Sequence, residues 1–142
     1  MGKWGDIMMH LVIKGNPITK KNSQRIVKAK NGRPFIIPSK QYKDYEKQAI
    51  EELAYIPSLR GVIDYPVNVK CIYYMQTRRK CDLVNLQEAT LDILVKAGIL
   101  ADDNSNIVCS MDGSRVMYDK ENPRVIITIE SIQEVTKHVV DI

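Results

Sequence analysis

An α+β fold, with a mixed or antiparallel sheet and two main helices packed on it, is what this 142-residue sequence predicts. Three observations lead there. Strand-like and helix-like stretches follow in the order β, hairpin, α, β, α, β, β, which suits helices packed on one sheet. Two stretches repeat apolar residues at helical spacing. The stretch 66–76 turns from alternating to continuously apolar, as a strand interior to a sheet does.

Each element has a local cause. Met8 to Lys14 is rich in β-formers and reads as the first strand, broken by Gly15-Asn16-Pro17. Gln24 to Lys30 and Arg33 to Pro38 flank Asn31-Gly32, a two-residue hairpin signal. Ser39 is a ready N-cap for a helix in which Tyr42, Tyr45, Ala49, Ile50 and Leu53 share one face, ending before Pro57. Its acids (Asp44, Glu46, Glu51, Glu52) are expected on the outer face. Asp82 caps a second helix over 83–97, which Gly98 ends at a position suited to a left-handed residue. Ile107 to Tyr118 and Arg124 to Ile132 read as two closing strands, with Asp112-Gly113 a bulge or a further turn. The last ten residues show no pattern and are expected to fray.

Composition sets bounds. At 44% hydrophobic and 27% charged residues, the chain is expected to form one domain over 1–142. No apolar run approaches the ~20 residues of a membrane helix. Asp6 and His10 interrupt any signal-peptide layout, and Asp6 stands where a myristoylation motif wants Ser or Thr. A cytoplasmic protein is therefore expected. Cys71, Cys81 and Cys109 form no Cys-x-x-Cys pair, so they read as idle reduced thiols. Without a Gly-rich phosphate loop, no nucleotide cofactor is expected.

The net charge is only +4, but it is unevenly spread. Nine basic residues and no acid lie between Lys14 and Lys43, and Arg78-Arg79-Lys80 abuts Asp82. Two such blocks, one beside an acid, point to a nucleic-acid backbone. Lys20, Lys21, Arg25, Arg78, Arg79 and Lys80 are the expected phosphate contacts, reading shape more than sequence. Tyr73 and Tyr74 are expected in the core.

Asp82 sits at a helix N-terminus, where the dipole favours its ionised form. Asp102-Asp103 follow the same helix. Carboxylates of this kind hold Mg²⁺, which activates water and stabilises a leaving oxygen in phosphodiester cleavage. Distance constrains the idea. A fifteen-residue helix is ~22 Å long, and the six residues 98–103 span at most ~20 Å. Asp82 and Asp103 can share an ion if that run doubles back, if the helix is shorter, or if a dimer interface completes the site. On the helix, Asn85, Glu88, Asp92 and Lys96 form a polar stripe. Asp92 and Lys96 read as a solvated i,i+4 pair, whereas Asn85 and Glu88 are close enough to Asp82 to serve the site.

The segment RRKCDLVNLQEATLDILVKAGILADD, residues 78–103, resembles the signature region of the RusA family of Holliday junction resolvases. Asp82, Leu83, Asn85, Leu86, Asp92, Lys96-Ala97-Gly98 and Asp102-Asp103 match its pattern in order and without gaps. Weaker similarity covers Gly15-Asn16-Pro17, Lys20-Lys21 and the terminal strands. The resemblance implies a homodimeric, Mg²⁺-dependent endonuclease acting on four-way DNA, often prophage-encoded, with Mn²⁺ a substitute ion. It implies catalytic roles for Asp82 and Asp103, with Asp102 a less critical neighbour. Two positions depart from it: Val84 stands where the family has a second catalytic Asp, and Glu88 where it has a Lys. Positions 84 and 88 stack one turn apart, so Glu88 is the expected replacement carboxylate and metal ligand, and Lys80, or Lys20 and Lys21, the replacement cation. Asn85 is expected at the DNA. The competing readings are a branched-DNA-binding protein with a degenerate site, and a basic interaction module without DNA affinity.

Overall fold

The computed structural model describes residues 8–20 and 24–132, ten elements in all. Lys21 and the last ten residues, for which expectations were given above, lie outside the described set, as does the side chain of Arg25.

Three long strands build the sheet: β1 (Met8–Lys14), β7 (Arg124–Ser131) and β4 (Val67–Met75). β7 lies between the other two and is antiparallel to both. Register explains the core. Met9, Ile129 and Val69 form one row across the sheet, Leu11, Ile127 and Cys71 the next, and Ile13, Val125 and Tyr73 the third. All nine side chains are buried on one face. Strand alternation puts every second residue on that face, so the period of the sequence and the position of the core agree.

Helices α1 (Lys40–Leu53) and α3 (Leu83–Lys96) cover this face with Ala49, Leu53, Leu86, Ile93 and Leu94. Ser39 Oγ accepts from the Tyr42 amide at 3.1 Å, the expected cap. Gly98 has φ +78°, the expected left-handed stop. Tyr73 is buried, and its hydroxyl meets Thr90 Oγ1 at 2.8 Å; Tyr74 points to the other face, where Arg124 stacks on it at 4.0 Å.

Three expectations are corrected. The stretch 107–118 is not one strand. It makes two short ones, β5 (Val108–Ser110) and β6 (Arg115–Tyr118), both parallel to β4 along its second edge. Gly113, at φ +87°, makes the break. The first helix does end before Pro57, as expected, and Pro57 then opens the short helix α2 (Ile56–Arg60), since its missing N–H costs nothing in a first turn. The loop between β2 (Gln24–Lys28) and β3 (Pro34–Pro38) is longer than two residues. Gly32 N–H donates to Ala29 O and Ala29 N–H to Arg33 O, and only Gly32 takes positive φ, which is a three-residue turn with a glycine bulge. Glu46, finally, is not on the outer face but turned toward α3.

Candidate active site and nucleic-acid interface

Asp82 lies where β4 has ended and α3 begins. Its Oδ1 accepts from the Val84 and Asn85 amides at 2.9 and 3.2 Å, so the cap fixes one oxygen and leaves Oδ2 outside it. The basic loop before it is ordered by neighbours. Asn16 Oδ1 accepts from the Gln76 amide at 2.8 Å, and Arg78 stacks on Tyr118 at 4.1 Å. Between these loops is a cavity of about 490 Å³, lined among others by Asn16, Thr19, Gln41, Arg79 and Lys80. Arg78, Arg79 and Lys80 are all exposed. Arg79 and Lys80 thus line a concave surface in the loop that leads directly into the Asp82 cap, an arrangement suited to a phosphate backbone.

Asp102 and Asp103 are elsewhere. The Ala101 amide donates to Ile63 O at 2.9 Å, and the Val67 amide to Ile107 O at 2.7 Å, which pins the Asp-Asp loop to the start of β4. Asp82 follows the end of β4, and α3 alone separates the two by about 21 Å for its fourteen residues. The run after Gly98 does not double back, and the helix is full length. Among the described residues, no three His, Cys, Asp or Glu side chains gather as a metal would require. Asp82 and the Asp102-Asp103 pair thus stand at opposite ends of α3. Within its loop Asp102 uses both oxygens, accepting from the Asp103 amide at 2.7 Å and Asn104 Nδ2 at 3.1 Å. Asp103's carboxylate takes no part in these bonds.

The expected polar stripe on α3 divides in two. Asp92 and Lys96 lie at the seam with α1, each still more than a third exposed. Lys20 Nζ lies 2.9 Å and Lys96 Nζ 3.2 Å from Asp92 Oδ2, and Lys96 also reaches Glu46 at 3.0 Å. The i,i+4 pair exists, but inside a half-buried four-residue network that sequence spacing did not reveal. Glu88 instead is exposed on the helix, one turn from Val84, while Leu91 and Val95 on the same turn-spaced line are partly buried against the core. Val84, at the departing position, is 59% exposed. Asn85 is half-buried beside the cap.

A family profile described as Endodeoxyribonuclease RusA matches residues 14–130. The chain belongs to the RusA family of endodeoxyribonucleases. A curated relative, the crossover junction endodeoxyribonuclease RusA of Aquifex aeolicus (strain VF5), is 33% identical over 89 residues. The match covers 62% of this chain and 66% of that protein, just under two thirds of its length. For a RusA-family chain the placement of the first carboxylate at the α3 cap and of the acid pair beyond Gly98 follows from the strand-loop-helix-turn frame described above. Val84 is not a core residue in this member. No helix among the described residues is long and apolar enough to cross a membrane.

Proposed function

We propose that this chain is a structure-selective endodeoxyribonuclease that resolves Holliday junctions during DNA recombination and repair, acting in the cytoplasm as a homodimer with Mg²⁺, for which Mn²⁺ can substitute. The observation that carries the reading is Asp82, held at the N-terminus of α3 beside Arg79 and Lys80, within a chain of the RusA family. Arg78 and Arg79 grip phosphates flanking the cut, and Lys80 meets the charge that builds on the scissile phosphate. Lys20, Lys21, Arg25 and Asn85 extend the DNA contact. A bound divalent ion would supply Lewis acidity toward phosphate oxygens.

The position of the second acid supports a site shared between two protomers. Asp82 and Asp103 lie at opposite ends of α3, so antiparallel packing of α3 against its copy brings Asp82 of one chain to Asp103 of the partner subunit, twice. Exposed Val84 supplies apolar surface for that packing, with the partly buried Leu91 and Val95 further along the same line, and interaxial distances of about 8–10 Å suit the carboxylate reach. Glu88, about 9 Å along the axis from Asp82, is the replacement carboxylate. Asp102 orients the loop that presents Asp103.

The test is cleavage of a synthetic four-way junction with Mg²⁺ or Mn²⁺ against the same mixture with EDTA. Metal-dependent paired nicks across the junction are expected. Full activity in Glu88→Ala would remove that residue from the set. A second reading is favoured by Val84 and by the lack of a three-acid group among the described residues: a branched-DNA-binding protein that does not cut. It predicts salt-sensitive junction binding that EDTA leaves intact, with no cleavage at any metal concentration.

A further inference from the structure

The hairpin β2–β3 is set apart from the rest of the fold. Its two strands pair with each other and not with the main sheet. Ile26 and Ile36 stand directly opposite in its register and so share a face. They are 72% and 61% exposed on that ribbon. Isolated exposed aliphatics are ordinary, but a matched pair on a projecting two-stranded ribbon is not, because such ribbons are marginal in water without a surface to lie on. Around the pair, Lys28, Lys30 and Arg33 are exposed, and no acid occurs anywhere between Lys14 and Lys43.

Both roots of the hairpin adjoin the basic loop that precedes Asp82. Ile18 and Thr19 on the way in and Gln41 on the way out line the same cavity as Lys80. The entry is tied by Lys20 to Asp92, and the exit by the Ser39 cap of α1. At about 3.3 Å per residue, five-residue strands extend about 17 Å from that edge.

We infer that the hairpin is a wedge for the branch point of four-way DNA, with Ile26 and Ile36 placed against the unstacked base steps at the crossover while Lys28, Lys30 and Arg33 neutralise the surrounding phosphates. The inference rests on the nuclease reading above and adds a specificity element to it. Aliphatic side chains of this kind can occupy opened base steps, and the opened centre of a junction offers them without the unstacking cost of a continuous duplex. The cationic tip fits a polyanion better than a purely apolar partner, and the hairpin's roots at the loop before Asp82 keep the wedge within about 17 Å of the site of cutting.

The experiment uses the full chain in EDTA, a four-way junction with 2-aminopurine beside the branch point, and a linear duplex of the same arm sequence. Wild type is expected to prefer the junction and to raise 2-aminopurine fluorescence. Ile26→Ser/Ile36→Ser should keep duplex affinity but lose the junction preference about tenfold, the worth of partly burying one aliphatic side chain, and lose the fluorescence rise. Ile26→Leu/Ile36→Leu should restore both. Lys28→Ala/Lys30→Ala/Arg33→Ala should weaken duplex and junction alike and flatten the salt dependence. An unchanged junction preference in the serine variant overturns the wedge. So does an equal loss on duplex and junction, which would make the hairpin a general groove contact. A serine variant that becomes monomeric while wild type is dimeric also overturns it, assigning the pair to contact between copies. A wild type without any junction preference would instead bring down the nuclease reading on which the wedge stands.

Discussion

Lys20 Nζ lies 2.9 Å from Asp92 Oδ2, joining the basic N-terminal segment to the helix that separates the two acid centres. Lys96 and Glu46 complete an alternating row of charges along the α1–α3 seam. Burial pushes the Asp92 carboxyl up, but hydrogen bonds and charge from Lys20 and Lys96 outweigh it and hold it below the usual carboxylate value. Burial pulls Lys96 down, and Glu46 and Asp92 outweigh that to raise it. The lowered Asp92 stabilises the fold above the ordinary carboxylate pKa of ~4 and stops doing so as pH falls through its folded value. The raised Lys96 stabilises below the ordinary lysine pKa of ~10.4 and stops as pH rises through its folded value.

Asp92→Asn should therefore cost about 0.5–1 kcal/mol near neutrality, a small figure because both Asp92 and Lys20 are more than a third exposed. The difference from wild type should close as pH drops below the carboxylate range. Urea unfolding at several pH values measures it, and Lys20→Ala/Asp92→Asn should show less than the summed loss of the single variants.

The Tyr73–Thr90 contact predicts an asymmetry. Thr90 Oγ1 also donates to Leu86 O at 3.0 Å, so Tyr73→Phe leaves Thr90 bonded and should cost about 1 kcal/mol. Thr90→Val leaves the buried Tyr73 hydroxyl without that partner and should cost more, about 1–3 kcal/mol. Equal losses in denaturant unfolding would contradict this account of the core.

Gly113 separates β5 from β6 at φ +87°, and a Cβ there would meet Lys70 Cδ at 2.7 Å. The lysine end can shift, but the backbone angle cannot be relieved in place. Gly113→Ala should lower stability by about 1–2 kcal/mol, measured by thermal or urea unfolding.

Much of the fold was legible in the sequence because its causes are local. Ser39 and Asp82 cap the helices they precede, Gly98 stops α3, and the alternation in β1 and β7 is the core itself. What was hidden depends on contacts between distant segments. Nothing in the spacing of Asp92 and Lys96 says that Lys20 and Glu46 will reach them from other elements. The break at Gly113 follows from pairing β5 and β6 with different halves of β4. At the site, Asp82 was legible as a cap beside cations, and the helix length already warned that Asp103 stands too far away. Which of the three geometries resolves that distance depended on where the loop after Gly98 is anchored, and Ile63 anchors it at the far end of β4.

Asp82→Asn should abolish cutting while preserving the fold, since an amide oxygen still caps α3. Asp82→Ala should abolish it too and cost about 1 kcal/mol more in stability from the lost cap. Junction cleavage and thermal unfolding on the same preparations separate the two roles.

The proposed sharing of each acid site between two protomers has its most direct test in a mixed dimer. Asp82→Asn and Asp103→Asn chains, each inactive alone, are co-purified as a heterodimer through two different affinity tags and given a four-way junction with Mg²⁺. If Asp82 of one protomer works with Asp103 of the partner subunit, one of the two sites regains both carboxylates, and nicking returns on one strand. If each chain builds its own site, both sites carry a lesion, and the heterodimer stays as inactive as its parents.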